Sequence, residues 1–228
     1  MSRVSFLRHA GWVSPEDLTL PLHIVGCGAV GSHVALCAAK MGFSNFILWD
    51  ADAVEEHNLP NQTYEPEHVG LQKVEALTLV LKRFNPEVQV EANNGFFTEA
   101  NAPALRGFVV IATDNMASRK LLIEKTAFNT SIDGLFEARL GFDYGEVNIV
   151  DPLNIGDCDN FTNGLKDDKD IPEGPCNLRI CTTLVGMTTS YLVHQMCAAI
   201  VAKKQSQEWQ YKRKNIFSLS PTLTHVSF

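Results

Sequence analysis

Three stretches of this 228-residue chain predict an α/β fold, doubly wound, with a mostly parallel sheet extended by antiparallel strands. The first is an apolar run that enters Gly26-Cys27-Gly28-Ala29-Val30-Gly31 and leaves as a helical pattern. The second is Phe108 to Ala112, continuously apolar, as a strand buried on both faces of a parallel sheet must be. The third lies beyond Ser131, where alternating strands and helices give way to short alternating strands.

Taken in order, residues 1–19 carry no strong period and read as an arm or short helix ahead of a single domain over 20–228. Leu20–Val25 is the first strand, and the helix after the glycine turn runs from about Ser32 to Met41, with Gly42 suited to its C-cap. This strand–turn–helix order is the context in which G-x-G-x-x-G is informative, and it makes the fold Rossmann-like. The first glycine permits the turn, the second lets backbone approach a phosphate, and the third lets the helix sit close to the sheet. The free N–H groups of the helix start favour an anion over the turn. A purely structural turn is the competing reading.

Phe46–Trp49 is the second strand, and Asp50 follows Gly31 by 19 positions, where such folds place a carboxylate for ribose hydroxyls. The polar segment from Asp50 to Gln62 is too long for a bare connection, which marks it as functional. A helix then spans about Gln72 to Phe84, with Lys73 in its first turn, the end a helix dipole makes less favourable for a cation. Lys73 is therefore either a solvated lysine or one held there to meet phosphate. Val88–Val90 is a short strand, followed by a turn and short helix to Arg106. The apolar strand Phe108–Ala112 ends at Thr113-Asp114-Asn115, ahead of a helix from Ala117 to Phe128. That triplet serves equally as a helix N-cap or as a ligand group at the carboxyl end of a central strand. Ile132–Leu135, Glu137–Phe142 and Gly145–Val150 read as three strands, split at Gly134 and at Asp143–Gly145. Residues 151–180, rich in Asp, Gly, Asn and Pro, read as a long crossing loop. Thr182 to about Ala202 is a long helix, and Ile216–Phe228 supplies a last strand or two.

Composition narrows the function. A net charge of −7 and a basic run no longer than Lys212-Arg213-Lys214 argue against a general nucleic-acid binder. Six cysteines stand at 27, 37, 158, 176, 181 and 197 with no C-x-x-C pair, so no zinc is expected and the thiols read as reduced. No apolar run approaches the roughly 20 residues that span a membrane, and a cytoplasmic location is expected.

Four features in a fixed order carry a more specific reading: GCGAVG, the pair Asp50 and Asp52, the Asn58–Lys73 segment, and Thr113-Asp114-Asn115 with Arg119. Together they resemble the superfamily of ubiquitin-activating enzymes, with the ThiF, MoeB and HesA families among its members, over roughly residues 20–203. The resemblance implies an adenylyltransferase that uses ATP and Mg²⁺ on the C-terminal carboxylate of a small ubiquitin-like or sulfur-carrier protein ending in Gly-Gly. It implies that Gly26, Gly28, Ala29, Val30 and Gly31 cradle the nucleotide, that Asp50 takes the ribose, and that Asp52 supports the same loop. Asn58, Asn61 and Gln62 would line the phosphate region with Lys73, Asp114 would hold the metal, and Thr113 and Asn115 would lie beside it. The chemistry agrees: attack of a carboxylate on an α-phosphate brings two anions together and needs positive charge and alignment. Mg²⁺ needs only one or two protein carboxylates when phosphates and water complete its shell.

The sequence departs from the family pattern at Asn-Leu-x-Arg-Gln, which here reads Asn58-Leu59-Pro60-Asn61-Gln62. A neutral amide does not replace the planar fork of arginine. Arg8 is a candidate substitute, lent across a homodimer as in some relatives, against its plain reading as a solvated residue. Cys176, in Pro-Glu-Gly-Pro-Cys, stands where some relatives place a nucleophilic cysteine, and Cys181 at the helix entry is the second candidate for a lowered pKa. Two other readings stay open: a non-catalytic adaptor of the same fold, favoured by Asn61, and a nicotinamide-dependent oxidoreductase. A relative acting on a modified tRNA nucleoside is disfavoured by the acidic charge.

Overall fold

A computed structural model of the protein describes residues 4–141, 143–165, 181–219 and 223–228. β1 (Leu22–Val25) and β4 (Gly107–Ile111) are buried along their whole length, because each has strands on both sides and helices on both faces. β2 (Asn45–Asp50) and β3 (Gln89–Asn94) pair parallel outward from β1, while β4 and then β5 (Ile132–Leu140) pair parallel on its other side. β6 (Tyr144–Val150), β7 (Lys214–Ser218) and β8 (Thr224–Ser227) continue the sheet antiparallel, in the order β3-β2-β1-β4-β5-β6-β7-β8. The expected sheet is borne out. The strand order reverses between β1 and β4, and the crevice above that switch point is where open α/β sheets take ligands.

One face of the sheet carries α1 (Ala29–Met41), α2 (Lys73–Phe84) and α5 (Thr182–Lys204) over a core that includes Ile24, Leu48, Val110 and Phe136. The other carries α3 (Met116–Thr126) and α4 (Ile155–Asn163) over Val25, Trp49, Ile111, Leu135 and Phe161. Alternate residues of one strand feed the two cores, as the period of two requires. The segment before β1 packs onto this body: Val13 and Leu18 are buried, and Trp12 stacks on His194 of α5 at 4.8 Å.

Four expectations need correction. α1 begins at Ala29, inside the glycine motif, three residues earlier than the apolar pattern places it. Gly134 does not divide β5. A Cβ there would stand 3.1 Å from the Phe136 ring, so the glycine makes room for an aromatic instead of a turn. Residues 151–180 are not all loop, since α4 lies within them, capped by Asn154 accepting from Gly156 and Asp157. Finally, α5 is long and apolar enough to cross a membrane by length and composition, with a mean hydropathy of 1.3 over its most apolar stretch. Yet 56% of that stretch is buried in the fold, which is the pattern of a core helix.

Candidate functional site

The glycine turn is shaped by two close approaches and one opening. Gly26 has φ +96°, and a Cβ there would meet the Ala112 carbonyl oxygen at 2.5 Å. A Cβ on Gly31 would stand 1.8 Å from the Gly26 oxygen, so only glycine lets α1 close on the turn. At Gly28 a Cβ would meet nothing within 4 Å. Its bare backbone faces an open cavity of about 650 Å³ at the N-terminus of α1, which has no acidic residue in its first turn. The turn expected at Gly26 and the close helix expected at Gly31 are what the geometry contains, and at Gly28 it leaves the backbone open.

The cavity is walled by the ends of β1, β2 and β4 with Asp50, Asp52, Lys73, Thr113, Asp114 and Asn115. Asp50 ties the turn to the loop after β2: Oδ2 accepts from the Cys27 N–H at 2.6 Å and Oδ1 from the Asp52 N–H at 2.8 Å. Burial pushes its pKa up, opposed by those two bonds and by Lys73. Each oxygen keeps one lone pair for a hydroxyl. Lys73 is the first residue of α2, 9% exposed, with Nζ 2.7 Å from Asp52 Oδ2. The lysine is thus held in the cavity wall, and the solvated reading is set aside. Tyr64, deep beneath, donates to the Cys27 carbonyl at 2.6 Å and approaches that of Lys73 at 3.3 Å, joining the turn to α2.

The N-cap reading of the 113–115 triplet holds, and the triplet also lines the cavity. Asn115 caps α3 by accepting the Ser118 N–H at 2.8 Å, while Asp114 is exposed at the cavity and receives a 3.3 Å contact from Asn115. The Thr113 hydroxyl is buried with no partner among the described residues. Three carboxylates and one ammonium line the space, so a triphosphate placed here needs added positive charge. A divalent cation held by Asp114 and the phosphates would supply it with few protein ligands, and no cluster of three metal-binding side chains occurs among the described residues. The donor set therefore fits Mg²⁺ shared with a nucleotide, and does not fit a metal held by protein alone.

The other predicted residues lie outside this wall. Ala29, Val30 and Gly31 form the first turn of α1 behind it. Asn58 is buried and caps its own short helix by accepting from the Glu55 N–H at 2.9 Å. Asn61 Oδ1 and Gln62 Oε1 are buried without partners among the described residues. Thr182 Oγ donates to the Pro60 carbonyl at 2.6 Å, bringing the start of α5 to this loop. Cys181 is the N-cap of α5, its pKa lowered first by the Thr183 hydroxyl and then by backbone N–H groups. Cys27, Cys37, Cys158 and Cys197 have theirs raised, chiefly by burial, which makes them poor nucleophiles. Cys176 lies outside the described residues. Arg8 is exposed and lines no part of the cavity.

Sequence reasoning missed one wall. Trp49, Gly95, Phe96 and Phe97 line the cavity beyond Asp50, with Trp49 edge-on to Phe97 at 5.5 Å and Phe96 77% exposed. A glycine followed by two aromatics just past a parallel strand was the available signal.

Fold and cavity together define a doubly wound α/β protein with an open cavity at the switch point of its sheet. The ThiF family model matches residues 19–225, and the chain belongs to the ThiF family. Over 95 residues it is 36% identical to ubiquitin-like modifier-activating enzyme 5 of Xenopus laevis, which covers 41% of this chain and 24% of that protein. It is 38% identical over 103 residues to the adenylyltransferase and sulfurtransferase MOCS3 of Anopheles gambiae, 43% of this chain and 23% of that one. These matches span about a quarter of the relatives' length. Among solved structures, PaaA superposes with a TM-score of 0.73 at 19% identity, covering 93% of this chain and 65% of that one. E. coli MccB with ATP gives 0.70 at 16%, over 94% and 65%. E. coli tRNA N6-threonylcarbamoyladenosine dehydratase gives 0.69 at 21%, over 89% and 94%. At these identities the superpositions establish the fold.

Proposed function

We propose that this protein uses ATP and Mg²⁺ to adenylate a carboxylate at the C-terminus of a small protein or peptide, most specifically a ubiquitin-like or sulfur-carrier protein ending in Gly-Gly. The observation that carries the reading is the open backbone at Gly28 facing Lys73 and Asp114 across one cavity. A dinucleotide reductase has no use for that lysine or that exposed carboxylate. In support, the relatives matched include an activating enzyme and an adenylyltransferase, and MccB has been solved with ATP. Gly28 and the start of α1 would receive phosphate, Asp50 the ribose, Lys73 the phosphate charge, and Asp114 the Mg²⁺. Bound Mg²⁺ would neutralise charge between the phosphates and draw electron density from the one attacked. A homodimer in the cytoplasm is part of the reading, with Arg8 offered across the interface.

The test is ATP–pyrophosphate exchange with carrier proteins encoded near the gene, alongside thermal shift with ATP and Mg²⁺ against NAD. Ligand at about 100 times its dissociation constant stabilises by about 2.7 kcal/mol. A shift with NAD and none with ATP overturns the proposal. Running the same mixture with and without reductant asks whether Cys176 or Cys181 forms an adduct with the partner. One observation favours the non-catalytic adaptor: Asn61 stands where the family pattern has a cation, and the cavity itself is rich in carboxylates. Nucleotide binding without exchange, for any carrier offered, would favour it.

A further inference from the structure

A charged pair buried between α3 and β5 lies just beneath the cavity and takes no part in its wall. Glu137, 1% exposed, sits on β5 opposite Ile111 of β4, and Arg119 of α3 is nearly as deep. The Glu137 carboxylate receives Arg119, Arg139 at 2.6 Å and Asn148 at 2.6 Å. Arg119 uses its other arm: Nη2 donates to the main-chain carbonyl of Thr113. That carbonyl opens the turn that carries Asp114, and the far end of the turn is fixed by the Asn115 cap. Burying such a pair rarely adds net stability, since desolvation offsets the attraction and well-packed apolar side chains do as well. What apolar side chains do not supply is a donor for a backbone carbonyl, and a lysine cannot span Glu137 and Thr113 with two separate arms.

We infer that Arg119, held in orientation by Glu137, is a positioning residue that fixes the Thr113–Asn115 turn and with it the direction of the Asp114 carboxylate. The inference rests on the proposed role of Asp114 for its consequence in nucleotide binding, and on geometry alone for its consequence in the free protein. The fork of Arg119 acts as a brace: one prong on a buried strand paired on both sides, the other on the turn. Residues that orient a metal-binding group without touching the metal typically affect affinity by about 10- to 100-fold.

The experiment compares wild type with R119K and with R119M/E137L, which removes both charges together. Amide hydrogen exchange on the nucleotide-free proteins is read first. The expected result is faster exchange confined to residues 113–118, with the rest of α3 and β5 unchanged. ATP titrations with and without Mg²⁺ are read second, and the loss, at least about tenfold, is expected only in the presence of the metal. Unchanged exchange at 113–118 overturns the inference, as does faster exchange spread evenly over α3 and β5, which would mean packing alone. Should R119M/E137L fail to fold, R119K decides by the same criteria. If wild type binds no ATP, the proposed function fails while the exchange result still settles the brace.

Discussion

Two charged depressions lie along the sheet, and they differ in how their polar groups are used. In the second, a cleft of about 430 Å³ among β5, β6, α4 and the start of β7, the acids are fully engaged. Glu146 meets Lys214 at 2.9 Å and Asn148 at 2.8 Å, and Asp157 takes Tyr211, Arg213 and the Asp151 N–H. Around the glycine turn, Gly28 is bare, the Thr113 hydroxyl is buried without a partner among the described residues, and Asp114 is exposed. A buried polar group that is satisfied specifies the fold, whereas one left with unused capacity is held for something else. By that measure the first depression is a site and the second is a joint.

The largest effect should come from breaking the joint. Asp157→Ala leaves Arg213 and Tyr211 without their acceptor at a residue 2% exposed. Because the Arg213 side chain is half exposed, the loss is that of hydrogen bonds to a charged group, about 1.5–3 kcal/mol, to be read by chemical denaturation. A cost under about 0.5 kcal/mol would mean that the cleft is no joint. The first depression should respond in the opposite way: Asp114→Ala, at an exposed position, should change stability by less than about 0.5 kcal/mol. The same variant should abolish Mg²⁺-dependent exchange, and Lys73→Ala should lower it on the order of 10²-fold. If Asp114→Ala unfolds the protein, the contrast between the two regions collapses.

A smaller gain is expected from supplying the charge that the cavity lacks. Asn61→Arg should raise exchange about tenfold, the scale of one hydrogen bond to a charged group, provided the wild-type cavity is limited by its excess of carboxylates. No change would place the missing cation elsewhere, and measuring Arg8→Ala beside it identifies where.

The same contrast explains what could be read from the chain. The first half of the sheet was legible because its signals are local: a strand, three glycines at fixed spacing, and an apolar run long enough to be buried on both faces. Asp50, Lys73 and Asp114 could be placed since each stands at a strand end or helix start that those signals locate. α4 was not legible. It has only Cys158 and Phe161 as apolar residues facing inward, and Asp157 is buried by partners 54 and 56 residues further on. Gly134 misled for a related reason, as its neighbour in space is a ring two residues away on the same strand. The aromatic wall at Phe96 and Phe97 escaped notice because a turn was the cheaper reading of Gly95. Asn58 shows the limit in the other direction: the motif singled it out for the phosphate region, but in this structure its side chain caps its own short helix and lines no part of the cavity.

The smallest effect on the fold should come from Gly28→Ala, and that is why it is informative. Gly31→Ala would press a methyl to within 1.8 Å of the Gly26 oxygen and 2.9 Å of Ile24, so α1 has to move and stability must fall. Gly28 has no such neighbour, and its φ of −76° carries no left-handed strain. Its methyl would instead project into the space above the turn, where a phosphate must approach the backbone for the N–H groups of α1 to reach it. Gly28→Ala is therefore expected to unfold within about 0.5 kcal/mol of wild type while its affinity for ATP falls, measured by titration calorimetry with Mg²⁺ present. Unaltered affinity would remove the phosphate from this turn, and with it the assignment of the open region as the nucleotide site.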